Sequence, residues 1–204
     1  MEELINKALN IYEYGSIVYG TYVEGVSDRD YIVIVDDHYQ ITDEQIELNN
    51  CHYNIFSASR WQEKLNNNEV DALEVYFLPK KYVVKETIAF KTTIIPSKVR
   101  EQFSRTASNS WVKCKKKLTV EKDYNPRVGK KSLWHSLRII SFGTQILCTG
   151  RICDYGILNH LYDKIVNNDL NQWEYYYNNY KVLYNNMKSQ FRLAESKSFV
   201  TKHI

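Results

Sequence analysis

The chain changes its hydrophobic rhythm about halfway along. In the first half, apolar residues come in short runs divided by small and acidic residues. Leu4, Ile5, Ala8 and Leu9 share one side of a helix over residues 2–9. Residues 11–14 read as a short strand that ends at Gly15, with a short helix opening at Ser16. The near-continuous apolar run 31–35, bounded by Asp residues, predicts a central strand. A third strand is expected within 46–56, most clearly over 51–56. Ser57 suits the N-cap of a helix that runs to Leu65 and stops at Asn66-Asn67-Asn68. Another element begins at Glu69 and is ended by Pro79, and from there to Pro96 the chain is β-branched and mixed. Beyond that point the period becomes helical, over 97–120, 126–149, 154–167 and 170–196. Pro126 suits a first-turn position and Gly150 a helix stop. The pattern predicts an α+β protein, with a small mixed β-sheet in residues 1–96 and a C-terminal helical region, 97–204, packed on it.

The richest chemistry lies in residues 14–35. A Gly15-Ser16 turn is followed by a second small pair, Gly20-Thr21, and then Ser27 leads into Asp28 and Asp30 at the head of the apolar run. Residues i and i+2 of a strand point the same way, so Asp28 and Asp30 are expected to project from one face. Two carboxylates that close repel each other unless one is protonated or a cation lies between them. A hard divalent ion, held by one or two carboxylates plus substrate phosphates, answers that problem. The Gly15-Ser16 turn offers backbone N–H groups and a hydroxyl as a cradle for phosphate oxygens.

Composition narrows the setting. The 204 residues are 44% hydrophobic, enough for a packed core, and the net charge of +3 does not by itself argue for nucleic acid. The 17 Tyr residues and the many Lys suit contacts with bases and phosphates. Cys51, Cys114, Cys148 and Cys153 have neither zinc-knuckle nor Cys-x-x-Cys spacing and read as reduced structural thiols. The N-terminus lacks the basic-then-apolar layout of a signal peptide, and no apolar run approaches the ~20 residues of a membrane span. A cytoplasmic protein without a membrane partner is expected.

Gly15-Ser16, Gly20-Thr21, Ser27, Asp28 and Asp30, in that order and followed by a strand, resemble the active-site signature of the DNA-polymerase-β-like nucleotidyltransferase superfamily. Residues 64–79 (KLNNNEVDALEVYFLP) and 130–150 (KKSLWHSLRIISFGTQILCTG) resemble segments of one branch, the predicted bacterial and phage nucleotidyltransferases related to the RNA-ligase-associated type. The resemblance implies that the sheet is a nucleotidyltransferase core. It implies transfer of a nucleoside monophosphate from a nucleoside triphosphate to an acceptor hydroxyl, an RNA end being one candidate. Asp28 and Asp30 would be the shared ligands of Mg²⁺ (or Mn²⁺), and Gly15 and Ser16 would bind the β- and γ-phosphates. Gly20, Thr21 and Ser27 would shape the nucleotide loop. The third carboxylate of the family falls at or near His52, with Asn54 on the same face, so Glu74 is the candidate to supply the missing acid. Lys131, His135 and Arg138 would form a cationic helix edge toward the triphosphate or an acceptor nucleic acid.

Each assignment has a plainer counterpart. Thr21 and Ser27 also suit turn capping. Glu74 also reads as a buried acid holding a loop, and His52 as a satisfied strand histidine. Lys131, His135 and Arg138 also read as a solvated face opposite the apolar stripe Leu133, Leu137, Ile140 and Leu147. The basic run Lys113, Lys115, Lys116 and Lys117 reads either as a phosphate-tracking patch or as a solvated face. Trp173, Tyr176, Tyr177, Tyr180 and Tyr184 have the spacing of a packing stripe. A second function class therefore stands beside the enzyme: a protein of the same fold that binds nucleotide, nucleic acid or a protein partner without catalysis.

Overall fold

Asn49 and Asn50 both adopt positive φ, 52° and 60°, the backbone that a two-residue hairpin turn requires. The region expected to hold one strand is therefore two, β3 (Asp43–Leu48) and β4 (Cys51–Ser57). The computed structural model describes residues 2–41 and 43–194. It divides into two units, Met1–Thr93 and Ile94–Ile204.

The first unit is a mixed five-stranded sheet with short helices. Strands β1 (Asn10–Tyr14), β2 (Arg29–Val35) and β5 (Val83–Glu86) join the hairpin in the order β3-β4-β2-β1-β5. β2 runs parallel to β4, and the other pairings are antiparallel. Helix α1 (Glu2–Asn6) precedes β1, and α2 (Ser16–Tyr19) follows it. Helices α3 (Ala58–Asn66) and α4 (Val70–Tyr76) follow β4. α1 is shorter than its apolar period predicts. The Leu9 N–H bonds to the Ile34 carbonyl, which draws the chain into the sheet. Ser57 caps α3 as expected, accepting from the Arg60 N–H, and Asn68 leaves the helix at φ 53°.

Register sorts the side chains into two faces. Val33, Val35 and Ile55 point to one, where Ala8, Leu4 and Ile41 close an apolar core. Tyr14, Asp30 and His52 are register partners on the other, followed by Ile32, Asn54 and Phe56. On the edge strand, Glu47, Gln45 and Asp43 continue that second face. Trp61 of α3 packs on Phe56 at 5.3 Å between ring centroids.

The second unit's described residues contain four α-helices and no strand: α5 (Pro96–Thr119), α6 (Pro126–Thr149), α7 (Asn159–Ile165) and α8 (Trp173–Leu193). Pro126 is the first residue of α6, Asn125 caps it, and Gly150 ends it at φ 84°. A Cβ on Gly143 would stand 2.7 Å from the Phe191 ring and 3.1 Å from that of Phe103, so glycine lets α5 and α8 close on α6. Leu133, Leu137, Ile140 and Leu147 are buried, as are Trp173, Tyr176, Tyr180 and Tyr184. The helix expected over 154–167 is confined to α7. Asp154 instead accepts from the Gly156 N–H in a tight turn, and Gln145 takes the Cys153 and Asp154 N–H groups. The helix expected over 170–196 begins at Trp173, and its last two positions lie outside the described residues. Among the described residues no helix is long and apolar enough to cross a membrane.

Asn10 fastens the first unit's far edge. Fully buried, it donates to the Tyr12 hydroxyl and the Ile88 carbonyl, and its Oδ1 accepts from the Thr87 and Ile88 N–H groups. Asn10→Ala should cost about 2–4 kcal/mol, since it strands two backbone donors. Urea denaturation should show a lower midpoint with an unchanged slope.

Candidate active site

The corner between β1 and β2 is built on glycine. Gly15 lies at φ 70°, ψ −141°, a backbone that side chains disfavour. A Cβ there would stand 2.2 Å from Asp30 Oδ2 and 2.9 Å from its carboxyl carbon. The Asp30 carboxylate therefore rests directly over the Gly15 Cα, at the mouth of α2. The Gly15 carbonyl accepts from the Val18 and Tyr19 N–H groups, and Gly20 closes the single turn at φ 73°. The Thr21 N–H returns to the Ser16 carbonyl at 2.9 Å, and Ser27 Oγ accepts from the Val23 N–H at 3.1 Å. Gly20, Thr21 and Ser27 thus shape the loop between Ser16 and Asp28 through the backbone.

Asp28 lies one residue before β2 and is exposed, whereas Asp30 lies within the strand and is half-buried. His52 occupies the neighbouring position on β4, with Nδ1 3.6 Å from Asp30 Oδ1 and Nε2 3.7 Å from Glu47 Oε2. Among the described residues no group of three His, Cys, Asp or Glu side chains is arranged to hold a metal. Asp28 and Asp30 are hard carboxylate donors of the kind that Mg²⁺ takes one or two at a time. They do not make the three-carboxylate set of a two-ion centre.

Two expectations are corrected by burial. Glu74 was expected to present an acid to the cleft, yet it is 0% exposed. Its Oε2 takes the Tyr19 hydroxyl at 2.5 Å. Enclosed in this way, it offers no carboxylate to an acceptor. Lys131, His135 and Arg138 were expected to form one cationic edge. Lys131 is exposed, but Arg138 is only 3% exposed, lies over the Trp134 and Phe142 rings, and meets His135 Nδ1 at 2.8 Å. Burial, with the Arg138 and Lys113 charges, holds the His135 pKa well below its usual value. His135 is thus the neutral partner that accepts from Arg138.

Three further residues, Tyr14, Tyr19 and Glu47, belong to this face. Tyr14 and Tyr19 bracket the Gly15-Ser16 turn, with ring centroids 6.1 Å apart. Burial first, and then the charge of Glu74, raise the Tyr14 hydroxyl well above its usual pKa. Glu47 reaches His52 only because β3 is a strand. The alternation of 43–48 together with Asn49-Asn50 was the signal for that hairpin.

No family model matches the chain, and no curated protein matches it. Among solved structures, it is similar to a nucleotidyltransferase-like protein from Exiguobacterium sibiricum 255-15. The two are 10% identical, with a TM-score of 0.30, over 92% of this chain and 69% of that one.

Gly15→Ala should disrupt this corner specifically. The new methyl group meets the Asp30 carboxylate and the backbone loses its preferred residue, together costing about 1–3 kcal/mol. Thermal unfolding would measure the loss, and the NMR shift of the Asp30 amide would report its displacement.

Proposed function

We propose that the chain is a metal-dependent nucleotidyltransferase that moves a nucleoside monophosphate from a nucleoside triphosphate to a hydroxyl of an RNA acceptor. The observation that carries this reading is the Asp30 carboxylate seated over Gly15 at the start of α2, two residues after the exposed Asp28. Backbone N–H groups at a glycine turn receive phosphate oxygens. Asp28 and Asp30 are the residues that would hold Mg²⁺ (or Mn²⁺), which when bound would offset the charge of the triphosphate. In the transfer, the acceptor oxygen attacks the α-phosphorus and the bond to the β-phosphate oxygen breaks, releasing pyrophosphate. The acceptor proton needs a base within hydrogen-bond reach. With Glu74 enclosed, His52 is the group beside Asp30 able to take it.

The charge of the chain supports a polyanionic acceptor. Residues 1–93 carry 16 Asp and Glu against 8 Lys and Arg, a net −8. Residues 94–204 carry 19 Lys and Arg against 8 acids, a net +11. Lys113, Lys115, Lys116, Lys122, Arg127 and Lys131 are exposed around the α5–α6 connection, with Tyr124 among them at 53% exposure. Basic side chains interleaved with an exposed aromatic are the footprint of single-stranded nucleic acid. Asp123 offsets only Lys116 and Lys117.

One observation favours a second reading, in which the corner binds nucleotide without transferring it. His52 stands where a carboxylate would be needed for a second ion, and no other acid replaces it among the described residues. Two variants separate the readings. Asp30→Asn should weaken Mg²⁺-dependent ATP binding by about tenfold or more, measured by calorimetry, as expected for a lost charge-assisted contact. His52→Gln should leave that affinity intact and lower transfer of labelled nucleotide to total RNA by about a hundredfold. Intact ATP binding with no transfer by the unmodified chain would establish the second reading. Undiminished ATP binding in Asp30→Asn would remove both.

A further inference from the structure

The charge of the second unit is not spread evenly over its helices. Residues 102–119 of α5 carry five Lys or Arg and no acid, and residues 175–193 of α8 carry three and no acid. The two stretches pack side by side. The Tyr184 ring stacks on Trp111 at 4.3 Å between centroids, and its hydroxyl lies 3.4 Å from Ser108 Oγ. Trp173, Tyr176, Tyr180, Tyr184 and Phe191 turn the apolar side of α8 inward. What remains along the seam is a line of cations, Lys181, Lys188 and Arg192, spaced seven and four residues apart and so on one side of the helix. At the helical rise that line is about 16 Å long.

These cations are held in place without being neutralised. Lys181 Nζ lies over three rings, Trp111 at 5.2 Å, Tyr184 at 5.6 Å and Tyr177 at 5.7 Å. Lys188 Nζ lies 5.3 Å from the Tyr184 ring and donates to Ser108 Oγ at 3.4 Å. Ring faces hold an ammonium group but leave its charge. An ammonium also has three donors, and Ser108 takes one of those on Lys188. The carboxylates nearby on the chain are engaged elsewhere, Glu101 with Arg105 and Asp123 with Lys116 and Lys117. Among the described residues no carboxylate lies within ion-pair reach of Lys181, Lys188 or Arg192. Burial first, and then the Arg192 and Lys181 charges, lower the Lys188 pKa. The line is therefore under mutual repulsion, which a row of anions laid along it would relieve.

We infer that the α5–α8 seam is a track for the phosphate backbone of single-stranded RNA. Lys115, one turn beyond Trp111 on α5, links it to the basic surface at the α5–α6 connection. The choice of RNA rests on the acceptor reading given above, whereas the attraction for a phosphate backbone rests on the seam's own charge pattern. The track reads backbone and not sequence, because the Trp111 and Tyr184 rings are buried beneath the lysines and offer no face to a base. An anionic membrane is the poorer fit. A helix that lies on a bilayer buries a continuous apolar face in it, and α8 turns that face inward. Of its exposed aliphatic residues, Val182 and Leu193 are parted by the exposed Asn186 and Ser189.

The test reads binding of the full chain to fluorescent single-stranded RNA of about 16 nucleotides, oligo(U) and oligo(A), by anisotropy between about 50 and 200 mM salt. ATP and Mg²⁺ are left out. Each phosphate contact on a single strand adds about 0.7 to the slope of log affinity against log salt. Lys181→Gln, Lys188→Gln and Arg192→Gln together should therefore lower that slope by about 2, equally for both sequences. Arg192→Gln alone, at an exposed position where folding is little affected, should lower it by about 0.7. Lys164→Gln, at an exposed cation of α7 outside the seam, should leave it unchanged. An unchanged slope in the triple variant and in Arg192→Gln, a loss confined to one sequence, or binding to phosphatidylserine vesicles in place of RNA would each overturn the inference. The transfer reading fails separately. Mg²⁺–ATP affinity should survive the triple variant, and a chain that binds RNA along the seam but transfers nothing to it would remove that reading and leave this one.

Discussion

The site depends on the close approach of the Asp30 carboxylate to Gly15. Antiparallel pairing of β1 and β2 sets Tyr14 opposite Asp30, so the chain must turn away at the next residue with the carboxylate lying over it. Only a residue without Cβ, and with freedom at positive φ, can stand there. That one constraint fixes the start of α2, the depth of Asp30 in the sheet and the direction in which its charge points. The parallel β2–β4 pairing then delivers His52 beside it, and the β3–β4 hairpin adds Glu47 beyond. The site is a row of register partners across one sheet face, and its geometry is as firm as the hydrogen-bond ladder beneath it.

Charge is divided along the chain in a way that the total conceals. A net +3 reads as bland, yet it is the sum of a strongly acidic sheet unit and a strongly basic helical unit. An acidic face that handles a triphosphate needs cations brought to it, because like charges on ligand and protein repel through the low-dielectric surroundings. A basic unit on the same chain attracts a polyanion by counterion release, without reading its sequence. Under the proposed function, chemistry and capture would fall to different halves of the polypeptide. On that reading, affinity for nucleic acid should fall as the salt concentration rises.

Much of this was legible in the sequence where a local rule sufficed. The Gly-Ser turn, the strand after Asp28, the Ser57 cap, the Pro126 start and the Gly150 stop each depend on one residue's own conformational preference. The misreadings came where tertiary packing overrode local pattern. The run 46–56 conceals a hairpin because Asn-Asn is a weaker turn signal than Asn-Gly, and because β3 is polar on the face it shares with His52. Helix α7 is short because Gln145 Oε1 anchors the Cys153 and Asp154 N–H groups and the Asp154 side chain accepts from the Gly156 N–H, which holds 153–156 in a turn rather than a helix. Arg138 could not be placed from its spacing alone. Position i+3 from His135 defines a helix face but not whether that face meets water, and here aromatic rings cover it.

Glu74 shows how burial can remove a residue from the chemistry and still tie it to the site. A carboxylate sealed from water is costly unless its lone pairs are taken up, and the Tyr19 hydroxyl takes Oε2 at 2.5 Å. Tyr19 is the last residue of α2 and Tyr14 the last of β1, so the two rings bracket the Gly15-Ser16 turn. Burial, and after it the Glu74 charge, raises the Tyr14 pKa well above its usual value. One buried acid on α4 therefore holds the Tyr19 side of the turn on which Asp30 rests. Its part in this corner is therefore structural: it fastens the end of α2 from a position closed to solvent.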